Sequence, residues 1–470
     1  MARARSVYVC LECGAQQPRW LGRCPACGRF ETLVEEPLGE PAAPAPADLL
    51  AADPRAGTAK PIPLREVDAA AAPRVETTVA ELDRVLGGGL VPGSVVLLGG
   101  EPGIGKSTLS LQLACGLARP GPPVLYVSGE ESLEQVRLRA ERLGEVPGSV
   151  LALAETRVEA LAAPWRELRP RLVLVDSIQT MRTERVESAP GSVAQVRESA
   201  SLLAATAKAH GTVLLLVGHV TKEGLLAGPR VLEHLVDVVL TFEGDRQHAF
   251  RLLRASKNRF GSTHEVGVFT MDAAGLEEVP DPSELFLAER RADAPGSCVV
   301  PLLEGSRPML VELQALVAPA GYGTARRTCL GVDDGRVALL LAVLDRRSDI
   351  ELAGCDVYVN ATGGVRVAET AADLGVALAL ASSRLDLALP PDTVACGEVG
   401  LGGEVRRVAR LDVRLREAAR LGFRRVLAPP GAPAPADVGA DVVPVATLGE
   451  AVAWLRRVAR PARERAYTAP

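Results

Sequence analysis

At 470 residues the chain is long enough for two or three domains, each burying a core of its own. Lys and Arg number 53 against 58 Asp and Glu, a net charge of −5, so bulk charge announces no polyanion partner. Any nucleic-acid site must be a local basic patch on an acidic protein. The longest apolar runs, such as Val213 to Val217, are far too short to span a membrane, and no secretory apolar stretch follows Arg3 and Arg5. These features point to the cytoplasm.

Residues 1–35 are cysteine-rich. Cys10-x-x-Cys13 and Cys24-x-x-Cys27 are separated by ten residues, a two-knuckle, four-cysteine pattern for Zn²⁺. Gly14 and Gly28 directly follow the pairs, as tight knuckle turns want, and Tyr8, Trp20 and Phe30 supply a little apolar cover. Disulfides are the alternative, which a reducing compartment disfavours. Such a ribbon can bind DNA, bind protein or simply fold, and the residues leave that open. Cys115 and Cys396 read as buried small hydrophobes. Residues 36–74 form a linker, dominated from Pro37 to Pro63 by Pro and Ala and without periodicity.

The region 75–280 begins with a lead-in, Glu76 to Gly89, and a buried strand, Ser94-Val95-Val96-Leu97-Leu98. Gly100-Glu101-Pro102-Gly103-Ile104-Gly105-Lys106-Ser107 then matches G-x-x-x-x-G-K-[ST] in full. Thr108 to Leu117 follows with helical spacing, Leu109, Leu113 and Leu117 on one face. The glycines let backbone N–H groups close around a β-phosphate at the positive end of the helix. Lys106 adds a point charge near the β- and γ-phosphates, and the Ser107 hydroxyl is placed for Mg²⁺. A chance glycine-rich turn would lack the strand and helix. The ligand expected is a nucleoside triphosphate.

Val124 to Glu131, Arg171 to Ser177 and Thr212 to Val217 are further apolar strands, ending in Glu130 and Glu131, in Asp176 and near His219. Continuous apolar strands alternating with helices predict a parallel sheet covered on both faces, with ligands at the carboxyl ends. Asp176 after four apolar residues is a Walker B carboxylate for Mg²⁺. Glu130, which follows the strand neighbouring the P-loop, is the candidate to polarise the attacking water; a solvated helix-capping carboxylate is its plainer reading. Two polar loops, Arg182–Ser192 and Lys222–Arg230, are expected to be flexible and on one edge of the sheet. Phe250 to Ser256 alternates like a strand, which delivers Lys257 and Arg259 to a turn with nothing acidic beside them in sequence. Such a pair suits a phosphate of DNA or of a neighbour's nucleotide.

Taken together, the four-cysteine ribbon, the P-loop through Thr108, Tyr126-Val127-Ser128-Gly129-Glu130-Glu131-Ser132 and Lys257-Asn258-Arg259-Phe260-Gly261 resemble the RadA (Sms) family of bacterial DNA repair proteins. The resemblance implies a RecA-like ATPase using ATP and Mg²⁺, which binds single-stranded DNA and drives branch migration beside a recombinase, as a homo-oligomer in the form of a hexameric ring. It also implies that the two polar loops line a DNA channel, and that Lys257 and Arg259 act across the subunit boundary or at the DNA.

Residues 285–460 resemble the proteolytic domain of Lon, a fold that uses a Ser–Lys dyad. Aligned on Ala379-Leu380-Ala381-Ser382 and Gly397-Glu398-Val399, the nucleophile position falls at Ala371, at the start of an Ala/Leu helix to Ser383, and the lysine position at Asp412. Neither side chain can perform acyl chemistry, and no lysine occurs from Met309 onward, so protease activity is not expected. Arginines crowd 406–425; their density suggests a DNA-backbone role beside the ordinary solvated surface. The fold class is therefore α/β: a RecA-like P-loop parallel-sheet core, a small zinc ribbon and an α+β Lon-like domain. A protease and a self-assembling, clock-type ATPase that ignores DNA are the rival functions. The missing dyad argues against the first, the ribbon and the Lys257–Gly261 turn against the second.

Overall fold

The computed structural model describes residues 6–10, 15–26, 28–30, 32–37, 63, 73–119, 121–218, 231–244, 250–291, 293–321, 325–432 and 439–461. Cys13, Cys27, His219 and the loop at 222–230 lie outside the described residues. The chain divides into two compact units, Met1–Val279 and Pro280–Pro470.

At the start of the first unit, β1 (Ser6–Cys10) pairs antiparallel with β2 (Gln16–Gln17) and β3 (Leu33–Pro37). Cys10, Cys24 and Leu33 are its buried cluster.

The nucleotide unit runs α1 (Ala80–Leu86), β4 (Val95–Gly100), α2 (Lys106–Ala118), β5 (Val124–Ser128), α3 (Leu133–Arg142), β6 (Val150–Ala154), α4 (Ala162–Leu168), β7 (Leu172–Asp176), α5 (Val193–His210), β8 (Val213–Val217), α6 (Val231–Leu235) and β9 (Val238–Glu243). An antiparallel extension, β10 (Phe250–Asn258), β11 (Val266–Asp272) and β12 (Gly275–Glu278), completes a nine-stranded sheet of order β12-β11-β10-β9-β4-β8-β7-β5-β6. Alternate residues of each central strand enter different cores. Val96, Leu98, Tyr126 and Leu174 pack with α1, α2 and α3, while Val95, Leu97, Val127 and Val175 pack with α4, α5 and α6. Both faces being covered, no strand position can be polar until the carboxyl end, which is why β4, β5, β7 and β8 read as unbroken apolar runs. Truncating Leu97 or Leu98, each nearly fully buried, to Ala would cost about 2–5 kcal/mol.

The register aligns the carboxyl ends: Ser128 lies beside Asp176, Asp176 beside Val217, and Val217 beside Leu98. One sequence expectation is corrected here. β5 is not beside the P-loop strand; β8 and β7 stand between them, because the crossover from β4 skips two positions that later strands fill.

The second unit opens with α7 (Pro282–Leu287). A seven-stranded mixed sheet follows, of order β15-β16-β14-β13-β18-β21-β22: β13 (Ser297–Glu304), β14 (Arg307–Pro319), β15 (Arg327–Leu330), β16 (Cys355–Ala361), β18 (Thr393–Ala395), β21 (Arg425–Ala428) and β22 (Asp441–Pro444). Between them lie β17 (Leu387–Ala388), the hairpin of β19 (Glu398–Val399) with β20 (Val405–Arg406), and the helices α8 (Asp334–Arg347), α9 (Asp373–Leu385), α10 (Leu411–Arg420) and α11 (Leu448–Val458). The Ala/Leu helix starts at Asp373, not Ala371, which sits buried in a preceding 3-10 turn, Thr370–Ala372. Ser382 and Ser383 are structural: Ser382 accepts from Gly296 N and donates to Leu387 O, and Ser383 accepts from Val317 N.

The arginine run differs from its sequence reading. Arg406, Arg416, Arg420 and Arg425 pair with Glu404, Asp412, Asp281 with Glu417, and Asp392. Arg414 is 2% exposed and bound to Glu369 and to Pro301 O. Arg410 caps the helix in the left-handed region and does not continue a face with Arg414.

Candidate active site

The P-loop joins β4 to α2. Gly105 sits at φ +121°, a conformation that strains any residue with a Cβ. α2 begins at Lys106 with no side-chain cap and no acid in its first turn, so the helix leaves its N–H groups and positive end for an anion. Lys106 is 4% exposed, and its Nζ donates to Gly100 O at 2.8 Å and Glu101 O at 3.0 Å. Burial pushes this ammonium below the usual lysine range, while Asp176 and Glu130 pull it back up. Carbonyls hold the ammonium in place without neutralising it, which fits a triphosphate. Glu101, Pro102 and Gly103 are exposed, Ile104 is buried and Ser107 and Thr108 are half-buried.

The structure thus brings Lys106, Asp176 and Glu130 together. Asp176 ends β7, and the Tyr126 hydroxyl, buried in β5, donates to its Oδ2 at 2.7 Å. Tyr126 thus engages one of the two carboxylate oxygens. Ser177 donates to Glu130 Oε1, and Gly129 N donates to Asp176 O at 2.9 Å. Glycine is required at 129 because Thr180 Oγ1 lies 2.0 Å from where a Cβ would sit. Glu131 is paired with Arg139. Of the two adjacent acids, Glu130 is the one whose charge acts on Lys106. Sequence reading missed Tyr126 and Ser177; the available signal was a lone hydroxyl inside an apolar strand, which must find a partner when buried.

Lys257 and Arg259 are not with this group. In β10, Lys257 pairs with Val239 and Asn258 with Val238, and Val238 lies beside Val96 at the start of β4. Gly100 is level with Phe242, about 13 Å further along at the strand rise. Nothing acidic neighbours the pair in sequence, but the fold brings one carboxylate to it. Asp237, 4% exposed, takes Arg259 at 3.0 Å and Lys208 at 3.3 Å on Oδ1, and Val95 N at 3.1 Å on Oδ2. Lys257 Nζ donates to Glu233 O at 2.5 Å and Val236 O at 2.7 Å, closing the end of α6. Burial lowers its pKa first, and the Arg259 charge second.

The Arg182–Ser192 loop is latched rather than free. Gln195, buried in α5, receives Thr183 N and donates to the carbonyls of Thr183, Val186 and Ser188. In the ribbon, Cys10 N donates to Ala15 O and Gly28 N to Cys24 O at 2.8 Å, knuckle turns that bury both described cysteines. Thiols buried on turns of this kind fit zinc, with Cys13 and Cys27 as the remaining ligands of the pattern.

A doubly covered parallel sheet, an uncapped helix behind a glycine loop, and a buried lysine facing two carboxylates define a P-loop ATPase with a RecA-like core. A family model described as AAA domain matches residues 58–225, and one described as Rubredoxin metal binding domain matches 8–35. DNA repair protein RadA of Halalkalibacterium halodurans is 50% identical over 429 residues, covering 91% of this chain and 93% of that protein. RadA of Bacillus subtilis is 48% identical over 460 residues, covering 96% and 99%, and that of Brucella abortus 49% over 436, covering 92% and 93%. The chain belongs to the RadA family of bacterial DNA repair proteins. No helix among the described residues is long and apolar enough to cross a membrane.

Proposed function

We propose that the chain is a DNA-dependent ATPase of homologous recombination. It binds single-stranded and branched DNA and works as a homo-oligomer, a hexameric ring, beside a recombinase of the RecA kind. ATP hydrolysis drives helicase-like branch migration. In this reading ATP occupies Gly100 to Thr108, Lys106 meets its γ-phosphate, Ser107 and Asp176 hold Mg²⁺, and Glu130 orients the water. Cys10, Cys13, Cys24 and Cys27 hold zinc. Residues 75–280 are the motor, and 285–460 a Lon-like domain without the dyad.

The observation that carries this is the placement of Lys257 and Arg259. They stand at the opposite end of the sheet from their own P-loop, so within one chain they serve no phosphate there. Beyond their contacts with Asp237 and the end of α6, a phosphate-binding role for them calls for a neighbouring subunit's nucleotide or DNA. Two measurements test the proposal. Hydrolysis should rise on adding single-stranded DNA; no rise at saturating DNA would sink the DNA-dependent motor. Arg259→Ala subunits mixed with Lys106→Ala subunits should recover part of the hydrolysis, because some interfaces then join an intact P-loop to an intact Arg259. Verified mixed rings without recovery would defeat the reading in trans and leave DNA phosphates as the partner.

A further inference from the structure

We propose that the zinc ribbon carries a stacking site for single-stranded DNA on its second knuckle, formed by Trp20 and Phe30 with Arg19 and Arg23. It rests on the DNA-dependent reading above and adds a contact outside the motor. Trp20 is 54% exposed and Phe30 71% exposed within the whole chain; among the described residues the other exposed aromatic is Tyr358 of the second unit. The ribbon does not use these rings as core. Its buried cluster is Cys10, Cys24 and Leu33, with Tyr8, Ala15 and Leu21 packed against it.

The two rings are arranged around one turn. Arg23 and Phe30 are antiparallel bridge partners, and the Arg23 guanidinium lies 5.3 Å from the Phe30 ring centre. Arg23 Nε donates to Gly28 O at 2.7 Å, which fixes the guanidinium plane. Trp20 lies over Gly22, close enough that a Cβ there would sit 3.7 Å from its Cη2. Charge follows the same pattern. Residues 13–30 contain Arg19, Arg23 and Arg29 and no Asp or Glu, between Glu12 and Glu31, in a chain of net charge −5.

Exposed aromatic faces interleaved with guanidinium groups recognise single-stranded nucleic acid. Bases stack on the rings whatever their identity, and the cations meet the phosphates. Leu21, between the two rings in sequence, is half-buried against the ribbon's own core, and among the described residues Val34 of β3 is the ribbon's exposed aliphatic at 44%.

The test uses the full-length, zinc-loaded protein and labelled oligothymidylate. Trp165 and Trp454 are buried, at 1% and 6% exposure, so tryptophan quenching by the oligonucleotide reports Trp20. Trp20→Phe should abolish the quench and keep the affinity within about twofold, since a phenyl ring still stacks. Trp20→Ala with Phe30→Ala should weaken binding about tenfold to a hundredfold, with zinc content and DNA-free hydrolysis unchanged. Arg19→Ala should lower the salt slope by about 0.7. Wild-type affinity in the double alanine variant, zinc retained, would overturn the site, the more so if binding to a RecA-type recombinase were lost instead. Should the double variant lose zinc, the Trp20→Phe quench and the Arg19→Ala slope still decide, and an unaltered quench and slope overturn the site. A wild-type protein that binds no single-stranded DNA would overturn the motor reading as well.

Discussion

Replacing Asp237 by alanine removes the buried carboxylate on which the Lys257–Arg259 turn is built. Its cationic partners are about half-exposed, with side-chain exposures of 53% for Arg259 and 46% for Lys208, so each ion pair contributes only about 0.2–1 kcal/mol. The larger loss is the acceptor of Val95 N at the root of β4, where a buried amide without a partner costs about 1–3 kcal/mol. The alanine variant should therefore lose about 2–4 kcal/mol, and Asp237→Asn, which keeps an oxygen for Val95, about 1 kcal/mol. Urea unfolding followed by the fluorescence of buried Trp165, in a background of Trp20→Phe and Trp454→Phe, reads the nucleotide unit by itself. The expected result is a lower midpoint at unchanged slope, with alanine well below asparagine. A midpoint for the alanine variant equal to that of the parent would refute the reasoning. Equal midpoints for the two variants would show that charge, not the Val95 bond, carries the site. Nucleotide affinity of a single chain should survive in both, because the P-loop lies at the other end of the sheet.

Other perturbations separate chemistry from architecture. Lys106→Ala should abolish turnover, and Glu130→Gln should bind ATP while hydrolysis falls by about two orders of magnitude or more. Glu131→Gln, its carboxylate already paired with Arg139, should hydrolyse nearly normally; the reverse ranking in a phosphate-release assay would exchange the two roles. Purified protein should carry about one Zn²⁺ per chain, released by Cys24→Ser with the nucleotide unit still folded, and loss of its unfolding transition would contradict this. Arg414→Ala should destabilise the second unit by about 2–4 kcal/mol, since it empties a buried position and removes the cation from Glu369, which keeps only Leu303 N. A stable Arg414→Ala variant with only a reduced DNA salt slope would restore the DNA-backbone reading for that residue.

The P-loop was legible in the sequence because its geometry is local. Eight consecutive residues, a strand before them and a helix after them specify both the turn and the unshielded helix end, and no distant partner is needed. The same holds for the apolar runs of β4, β5, β7 and β8, whose lack of alternation already encodes cover on both faces. The cysteine pairs likewise mark the ribbon by spacing alone. Strand order was not legible, because a crossover can pass over positions that only later strands occupy; hence β5 lies two strands further from β4 than its place in the chain suggests.

Side-chain partnership was decided by the tertiary structure for the same reason. Tyr126 finds Asp176 from 50 residues away, and Arg259 finds Asp237 from 22. Arg414, Arg420 and Arg425 meet Glu369, Asp281 and Asp392 from 45, 139 and 33 residues away, so part of a local surplus of charge becomes long-range ion pairs. Residue types and their spacing set which groups could act. Electrostatic attraction and burial operate over a few ångströms in space, and the fold alone determines which groups come within that distance.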